Sequence, residues 1–249
     1  MALFLMLGIN AMAQQVIQLH PTGSSRCETS DMNVLRASFS FPVLEAQDYN
    51  RSEGEFSKLS MPNTVIGGNE GDPEIPVINE LIAVPVGANP RIVVKSFNTE
   101  EYSLDDYGIK TLAPRQPSLR KDKNPEDVPF IYNEASYQKS GFSSTPNASV
   151  KVVGTMRGVR LGKITIEPVS YDPVNKSVRV FNDIEVEVHF DGADAKATEE
   201  LYTKTYSPYF DIVYKQLFNG NATRSSNPYT DHSDLYTTPV KMLAVTTQS

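Results

Sequence analysis

The chain has 249 residues, of which 39% are hydrophobic and 21% are charged. These proportions are typical of a folded globular chain and argue against long disordered regions. The formal net charge is −7, from 23 Lys and Arg against 30 Asp and Glu. Because a nucleic-acid-binding protein of this size would normally be basic, we predict no nucleic-acid partner.

The sequence offers little catalytic or metal-binding chemistry. Cys27 is the single cysteine, so no intrachain disulfide can form. The histidines, His20, His189 and His232, are far apart and lack ligand spacing with Cys27, so no zinc site is predicted. No GxSxG, HExxH, phosphate-loop or EF-hand motif is present, so we predict neither a catalytic centre nor a cofactor.

Residues 1–13, MALFLMLGINAMA, form an apolar run that ends in an A-x-A pattern. This pattern predicts a signal peptide that is cleaved after Ala13. The run is too short to span a bilayer as a helix, so no membrane attachment is expected once it is removed. A basic n-region is missing, which indicates either an upstream start or an atypical signal. We therefore predict a secreted protein, periplasmic or extracellular.

Short strand patterns joined by Pro- and Gly-rich turns predict an all-β fold, an antiparallel β-sandwich. Alternating apolar residues predict strands at 37–44 and 54–61, followed by a loop over 61–78. Two apolar runs at 80–86 and 91–97 are separated by GANP, which predicts a hairpin between them.

A second hairpin is predicted around the turn at 171–176, between a strand at 163–167 and strands at 177–181 and 183–190. The last of these strands alternates two sets of residues, namely Ile184, Val186, Val188 and Phe190 with Glu185, Glu187 and His189. This alternation is typical of a half-exposed antiparallel strand. It predicts that His189 is a solvated strand residue rather than a ligand.

Helical patterns are confined to the C-terminal part of the chain. One covers residues 194–204 with Asp194 as its cap, and a second covers 208–218 with an apolar face that we expect to pack on the β core. Residues 219–228 are small and polar, which predicts an exposed linker. A fresh apolar strand then begins within 236–245, so the sequence is expected to stop inside a new domain.

Several segments along the chain carry a family resemblance. They are LIAVPVGA (81–88), VKSF (94–97), QPS (116–118), VPF (128–130), GTMRGVR (154–160), SPYF (207–210), YKQLFN (214–219) and YTDH (229–232). Through these segments the chain resembles the N-terminal prodomain of the gingipains, a family of secreted cysteine endopeptidases, and most of all the Lys-specific kind. The matches run from about residue 38 to residue 245.

The resemblance implies a precursor composed of a signal peptide, a β-rich inhibitory and folding-assisting prodomain, and a caspase-like catalytic domain. It divides this chain into a signal peptide (1–13), a prodomain (14–224) and the linker with the first strand of a truncated catalytic domain (225–249). We expect the prodomain to be a monomer. Neither Cys27 nor His232 matches the family's catalytic pair. The resemblance therefore implies that this chain is not an enzyme by itself and that its partner is the cognate catalytic domain.

The resemblance also implies two functional positions. Gingipain precursors are cut after a basic residue between prodomain and catalytic domain, which points to Arg224 in the polar linker. Their latency loop presents a basic residue to the S1 pocket of the peptidase. The matching segment, 114–125, is rich in proline and is expected to be extended. The match implies that Lys121 enters the pocket, with Arg120 as the rival.

One alternative function is left open by the residues themselves. A secreted β-sandwich could be a binding or adhesin module without a protease partner. An adhesin has no need of a cleavable linker followed by a new domain, so the composition of the last 30 or so residues favours the prodomain.

Overall fold

The computed structural model describes residues 14–119, 121–122, 124 and 128–220, and antiparallel strands dominate it. The strands are β1 (Gln14–Gln18), β2 (Ser24–Ser30), β3 (Val34–Ser40), β4 (Val43–Arg51), β5 (Gly54–Ser60), β6 (Val65–Ile66), β7 (Pro76–Val84), β8 (Asn89–Ser103), β9 (Asn147–Met156), β10 (Val159–Glu167), β11 (Val169–Asp172) and β12 (Ser177–Asp191). The helices are α1 (Glu134–Tyr137), α2 (Ala195–Thr205) and α3 (Pro208–Lys215), and a 3-10 turn covers Asp105–Tyr107.

These strands form three sheets around one apolar core. The first has the order β1-β4-β5, and the second has the order β6-β7-β10-β9. The third has the order β11-β12-β3-β2, with β8 paired along β12. Side chains from all three sheets meet in one cluster that contains Leu44, Ile82, Ile164 and Phe181. The predicted all-β, antiparallel class is confirmed.

Strand β12 is the spine of the largest sheet, and it follows the predicted alternation. Ile184, Val186, Val188 and Phe190 are buried. Glu187, on the opposite face, pairs with Arg36 across β3 at 3.0 Å between Oε1 and Nε. The two strands predicted over this region are one strand with a bulge, because Asp183 adopts a left-handed backbone with φ of 48°.

Both predicted hairpins need correction. Strand β7 pairs with β6 and β10, whereas β8 pairs with β12 from Asn89↔Asp191 to Ser103↔Ser177. Residues 85–88 therefore carry the chain from one sheet to another. The length of β8 explains this outcome, because β12 satisfies nearly the whole strand whereas β7 is much shorter. The turn predicted at 171–176 does exist, but it joins β12 to β11 rather than to β10.

The C-terminal helices lie close to their predicted positions, but the apolar face of α3 is less buried than predicted. Helix α2 is capped as predicted, since the Asp194 carboxylate accepts a hydrogen bond from Ala197 N at 2.9 Å. Helix α3 ends at Lys215, three residues earlier than predicted. Tyr214 is buried, but Val213 is 39% exposed because the short helix lies on the surface and only one side reaches the core.

Candidate functional site

The segment that leads into the predicted latency loop is held between two parts of the fold. Residues 111–115 run alongside β5, where Ala113 N donates to Ser57 O at 2.8 Å and Ser57 N donates to Thr111 O at 3.0 Å. On the other side, Glu74 N donates to Ala113 O at 2.8 Å. Leu112 and Ala113 are fully buried. The chain is therefore rigidly fixed up to the start of the loop.

Gly71 joins the chain entering the loop to the chain leaving it. Its N–H donates to Arg115 O at 2.8 Å, and its carbonyl accepts from Asn133 N at 3.0 Å. The backbone φ of Gly71 is +85°, and a Cβ there would lie 3.0 Å from Ile131 Cγ2. A side chain here would be strained by the left-handed backbone and would press on Ile131, so glycine is strongly favoured.

The Asp72 side chain, next to Gly71, also holds together the two ends of the loop, which we call the base of the loop. Its Oδ1 accepts hydrogen bonds from Asn133 Nδ2 at 2.8 Å and from the buried Ser136 hydroxyl, and its Oδ2 accepts from Asn69 Nδ2 at 3.0 Å. The Ser136 and Asn69 hydrogen bonds hold the pKa of the Asp72 carboxyl below its usual value. The carboxylate is thus ionised at neutral pH and ties residues 69–72 to residues 133–136.

The loop narrows to a neck at Gln116 and Ile131, and we call residues 116–131 the basic loop. The Gln116 amide donates from Nε2 to Ile131 O at 2.8 Å and accepts at Oε1 from Ile131 N at 3.0 Å. The same Nε2 also donates to Pro114 O at 3.0 Å. Next to the neck, the Phe130 ring lies 5.8 Å from the Phe56 ring, which attaches the returning chain to β5.

Lys121 lies five residues beyond the neck and is exposed. Lys121 and Asp122 form a turn, whereas the sequence predicted extended backbone throughout. Within the described part of the chain, no ion pair involves the Lys121 ammonium group. A stretch of five residues spans at most about 17 Å, so the loop could carry the Lys121 side chain no further than that from the neck. Arg120 lies outside the described residues.

The last described residues are anchored to the edge of β7. Phe218 N donates to Leu81 O at 2.8 Å, and its ring stacks on Phe39 with centroids 5.6 Å apart. The Asn219 side chain accepts from Ala83 N at 2.8 Å and donates to Ala83 O at 3.0 Å. Asn219 is only 1% exposed, so the exposed linker predicted to begin there is wrong at that residue. Arg224 lies outside the described residues, as do Ala13 and His232.

The remaining candidate groups show no catalytic arrangement. Cys27 lies on β2 with its thiol 3.6 Å from Thr29 O, and burial raises its pKa, which disfavours the nucleophilic thiolate. His189 Nε2 lies 3.2 Å from Glu187 Oε2 on the polar face of β12. Over the described ranges, no three His, Cys, Asp or Glu side chains are grouped to hold a metal ion. Nor does that part of the chain contain a helix of membrane-spanning length and apolarity.

Comparison with known proteins identifies the family. The Propeptide_C25 family model matches residues 20–218. The chain belongs to the Propeptide_C25 family. Lys-gingipain of Porphyromonas gingivalis is 46% identical over 242 residues, which cover 96% of this chain and 14% of that protein. Gingipain R2 of the same species is 24% identical over 201 residues, which cover 80% of this chain and 26% of that protein.

Two solved structures resemble this propeptide. One is a structure of gingipain K from Porphyromonas gingivalis concerned with its zymogenic latency, with a TM-score of 0.68 and 43% identity. That match covers 73% of this chain and all of the solved one. The other is the complex of the pro- and mature domains of RgpB from the same species, with a TM-score of 0.63. At 21% identity, over 80% of this chain and 97% of that one, it supports the fold alone.

These findings confirm the gingipain-prodomain resemblance and favour a propeptide over an adhesin module. They confirm that the matched residues are a propeptide domain and not a peptidase domain. The chain spans about 14% of the length of the Lys-gingipains that it matches. Lys121 is the position that the resemblance implies, and its role stays a prediction. Gly71, Asp72, Gln116 and Asn219 had no predicted role, because each has hydrogen-bond partners that are distant in sequence.

Proposed function

We propose that this propeptide keeps a gingipain-type cysteine peptidase inactive by placing the basic loop in its active-site cleft. Lys121 enters the S1 pocket, and Arg120 is the rival anchor. The observation that carries this proposal is the exposed Lys121 at a turn of a loop whose base is rigidly fixed. The similarity to the gingipain K structure concerned with zymogenic latency supports it.

The fixed base explains how a short loop could bind well. Binding costs free energy for every side chain and loop that must become ordered. Here Gly71, Asp72 and Gln116 have already ordered both ends of the loop. A lysine ammonium that meets a carboxylate inside a pocket then adds a charge-assisted hydrogen bond. The same domain surface would assist folding of the peptidase by stabilising its cleft.

The proposed proteolytic processing of the chain follows its division into domains. A signal peptide, residues 1–13, directs export and is removed after Ala13. The prodomain, 14–224, is a monomer that is released by cleavage after Arg224, and 225–249 begin the catalytic domain. Support for the second cut comes from the anchored residues 218–219 and from the polar composition that follows them.

The experiment adds the purified chain, beginning at Gln14, to the catalytic domain of Lys-gingipain from Porphyromonas gingivalis. We expect competitive inhibition of lysyl-substrate hydrolysis, and weaker inhibition of the mature domain of RgpB. A matched control replaces residues 117–130 by a Gly/Ser segment of equal length. Absence of inhibition at micromolar concentration, or equal inhibition by the control, would contradict the proposal.

A further inference from the structure

The Gln116 side chain connects the segment that enters the basic loop to the segment that leaves it. Backbone hydrogen bonds hold the entering chain as far as Arg115 and the leaving chain from Asn133 onward. Between these points lie Gln116 and Ile131, and the described bonds that join them come from the Gln116 side-chain amide. This amide binds both polar groups of the Ile131 backbone, in the way that a neighbouring β-strand would.

The Gln116 amide is held in one orientation by its hydrogen bonds. Both of its Nε2 protons are used, one on Ile131 O and the other on Pro114 O. The amide plane is therefore fixed relative to the rigid segment that ends at Arg115. Because Ile131 is bound through both N–H and C=O, its peptide orientation is fixed as well. The direction in which the loop leaves the domain is thus set at this point.

We propose that Gln116 is a positioning residue for latency, which closes the neck of the basic loop and aims Lys121 at the peptidase cleft. This inference rests on the proposed inhibitory function. It goes beyond that function because Gln116, which does not enter the S1 pocket, sets the fraction of free chains whose loop is oriented for binding.

The expected effect concerns association. If only a fraction of the free chains holds the loop in the competent direction, the apparent dissociation constant rises by the inverse of that fraction. Loss of the two neck bonds should reduce the competent fraction about tenfold, which is equivalent to about 1.4 kcal/mol. The association rate should fall by this factor. The dissociation rate should stay the same, because Lys121 makes the same contacts once it is bound.

Two substitutions and one control separate this role from packing. Gln116→Ala removes the amide, whereas Gln116→Glu keeps the size and the acceptor but loses both donor bonds at neutral pH. Gln116→Ala should slow association by about tenfold. Gln116→Glu should also slow it, but by a smaller factor, because the bond from Ile131 N is retained. Gln138→Ala is the matched control, because Gln138 is an exposed glutamine just beyond α1. It should leave both rates unchanged.

The measurements are association and dissociation rates with the Lys-gingipain catalytic domain, the thermal unfolding midpoint, and the rate of tryptic cleavage of the loop in the chain alone. We expect slower association and faster loop cleavage at an unchanged midpoint. Unchanged association in Gln116→Ala, or a loss that accompanies a lowered midpoint, would overturn the inference. If the wild-type chain fails to inhibit, the proposed function fails, and the loop-cleavage rates still decide whether Gln116 closes the neck.

Discussion

Substitution of Asn219 by alanine tests how the end of the domain is fixed. The Asn219 side chain binds both Ala83 N and Ala83 O, at 2.8 and 3.0 Å, in a buried position. A buried backbone group left without a partner costs about 1–3 kcal/mol. Two such groups lose their partner, and because Ala83 is only half-buried each cost falls in the lower part of this range, so opening of the segment that contains α3 should become easier by about 2–4 kcal/mol.

Limited trypsin digestion detects this opening. In the wild type, we expect the first cut near Arg224, since Lys204 and Lys215 lie on helices in the closed domain. When opening and closing are fast, cleavage tracks the population of the open form. A change of 2–4 kcal/mol therefore raises cleavage at Lys215 by roughly 30-fold to several hundred-fold in Asn219→Ala.

The control for this prediction is Ser30→Ala, which removes only the 3.3 Å partner of the Asn219 amide. It should leave the order and rate of the cuts close to those of the wild type. N-terminal sequencing of the products identifies each cut. If Asn219→Ala is cut at Lys215 no faster than the wild type, the Asn219 side chain does not hold the segment closed. If the wild type is itself cut first at Lys204 or Lys215, the exposed cleavage site is not at Arg224.

Two further predictions concern titration and chemistry. The folded-state pKa of Asp72 lies below its unfolded value of about 3.9, so its stabilisation is present above that pH and is lost as the pH falls through the folded-state pKa. Asp72→Asn should therefore lower the urea midpoint at pH 7, and the difference from the wild type should shrink at pH 3; a difference that does not change with pH would contradict this. The purified chain should hydrolyse no lysyl or arginyl substrate, and Cys27→Ala should change nothing; thiol-dependent hydrolysis that this substitution abolishes would show that Cys27 is catalytic.

Local sequence patterns predicted the strand in which buried and exposed residues alternate and the helix that begins at a capping residue. The alternation from Ile184 to Phe190 predicted one buried face of β12, and Asp194 predicted the start of α2. Both signals depend on neighbouring residues only, since strand period and helix capping are local. The fold class followed from such elements together with the turns between them.

Pairing between distant segments could not be predicted in this way. Strands β7 and β8 are adjacent in sequence, which favoured a hairpin, but the long register with β12 decides the partner of β8. At the neck of the basic loop, Gln116 binds Ile131. At its base, Asp72 binds Asn133 and Ser136. No periodicity marks these side chains, because each is defined by a partner that only the folded chain brings close.

Inhibition constants of Lys121→Ala and the wild type against the Lys-gingipain catalytic domain decide whether Lys121 anchors the prodomain in the peptidase cleft. Truncation of one partner of a buried charge pair at an interface centre costs about 2–5 kcal/mol. We therefore predict inhibition weakened by roughly 30-fold or more, since about 1.4 kcal/mol is tenfold. Lys151→Ala, an exposed lysine on β9, should match the wild type, and Arg120→Ala should lie between. Equal constants for Lys121→Ala and a wild type that inhibits would show that Lys121 does not occupy the S1 pocket.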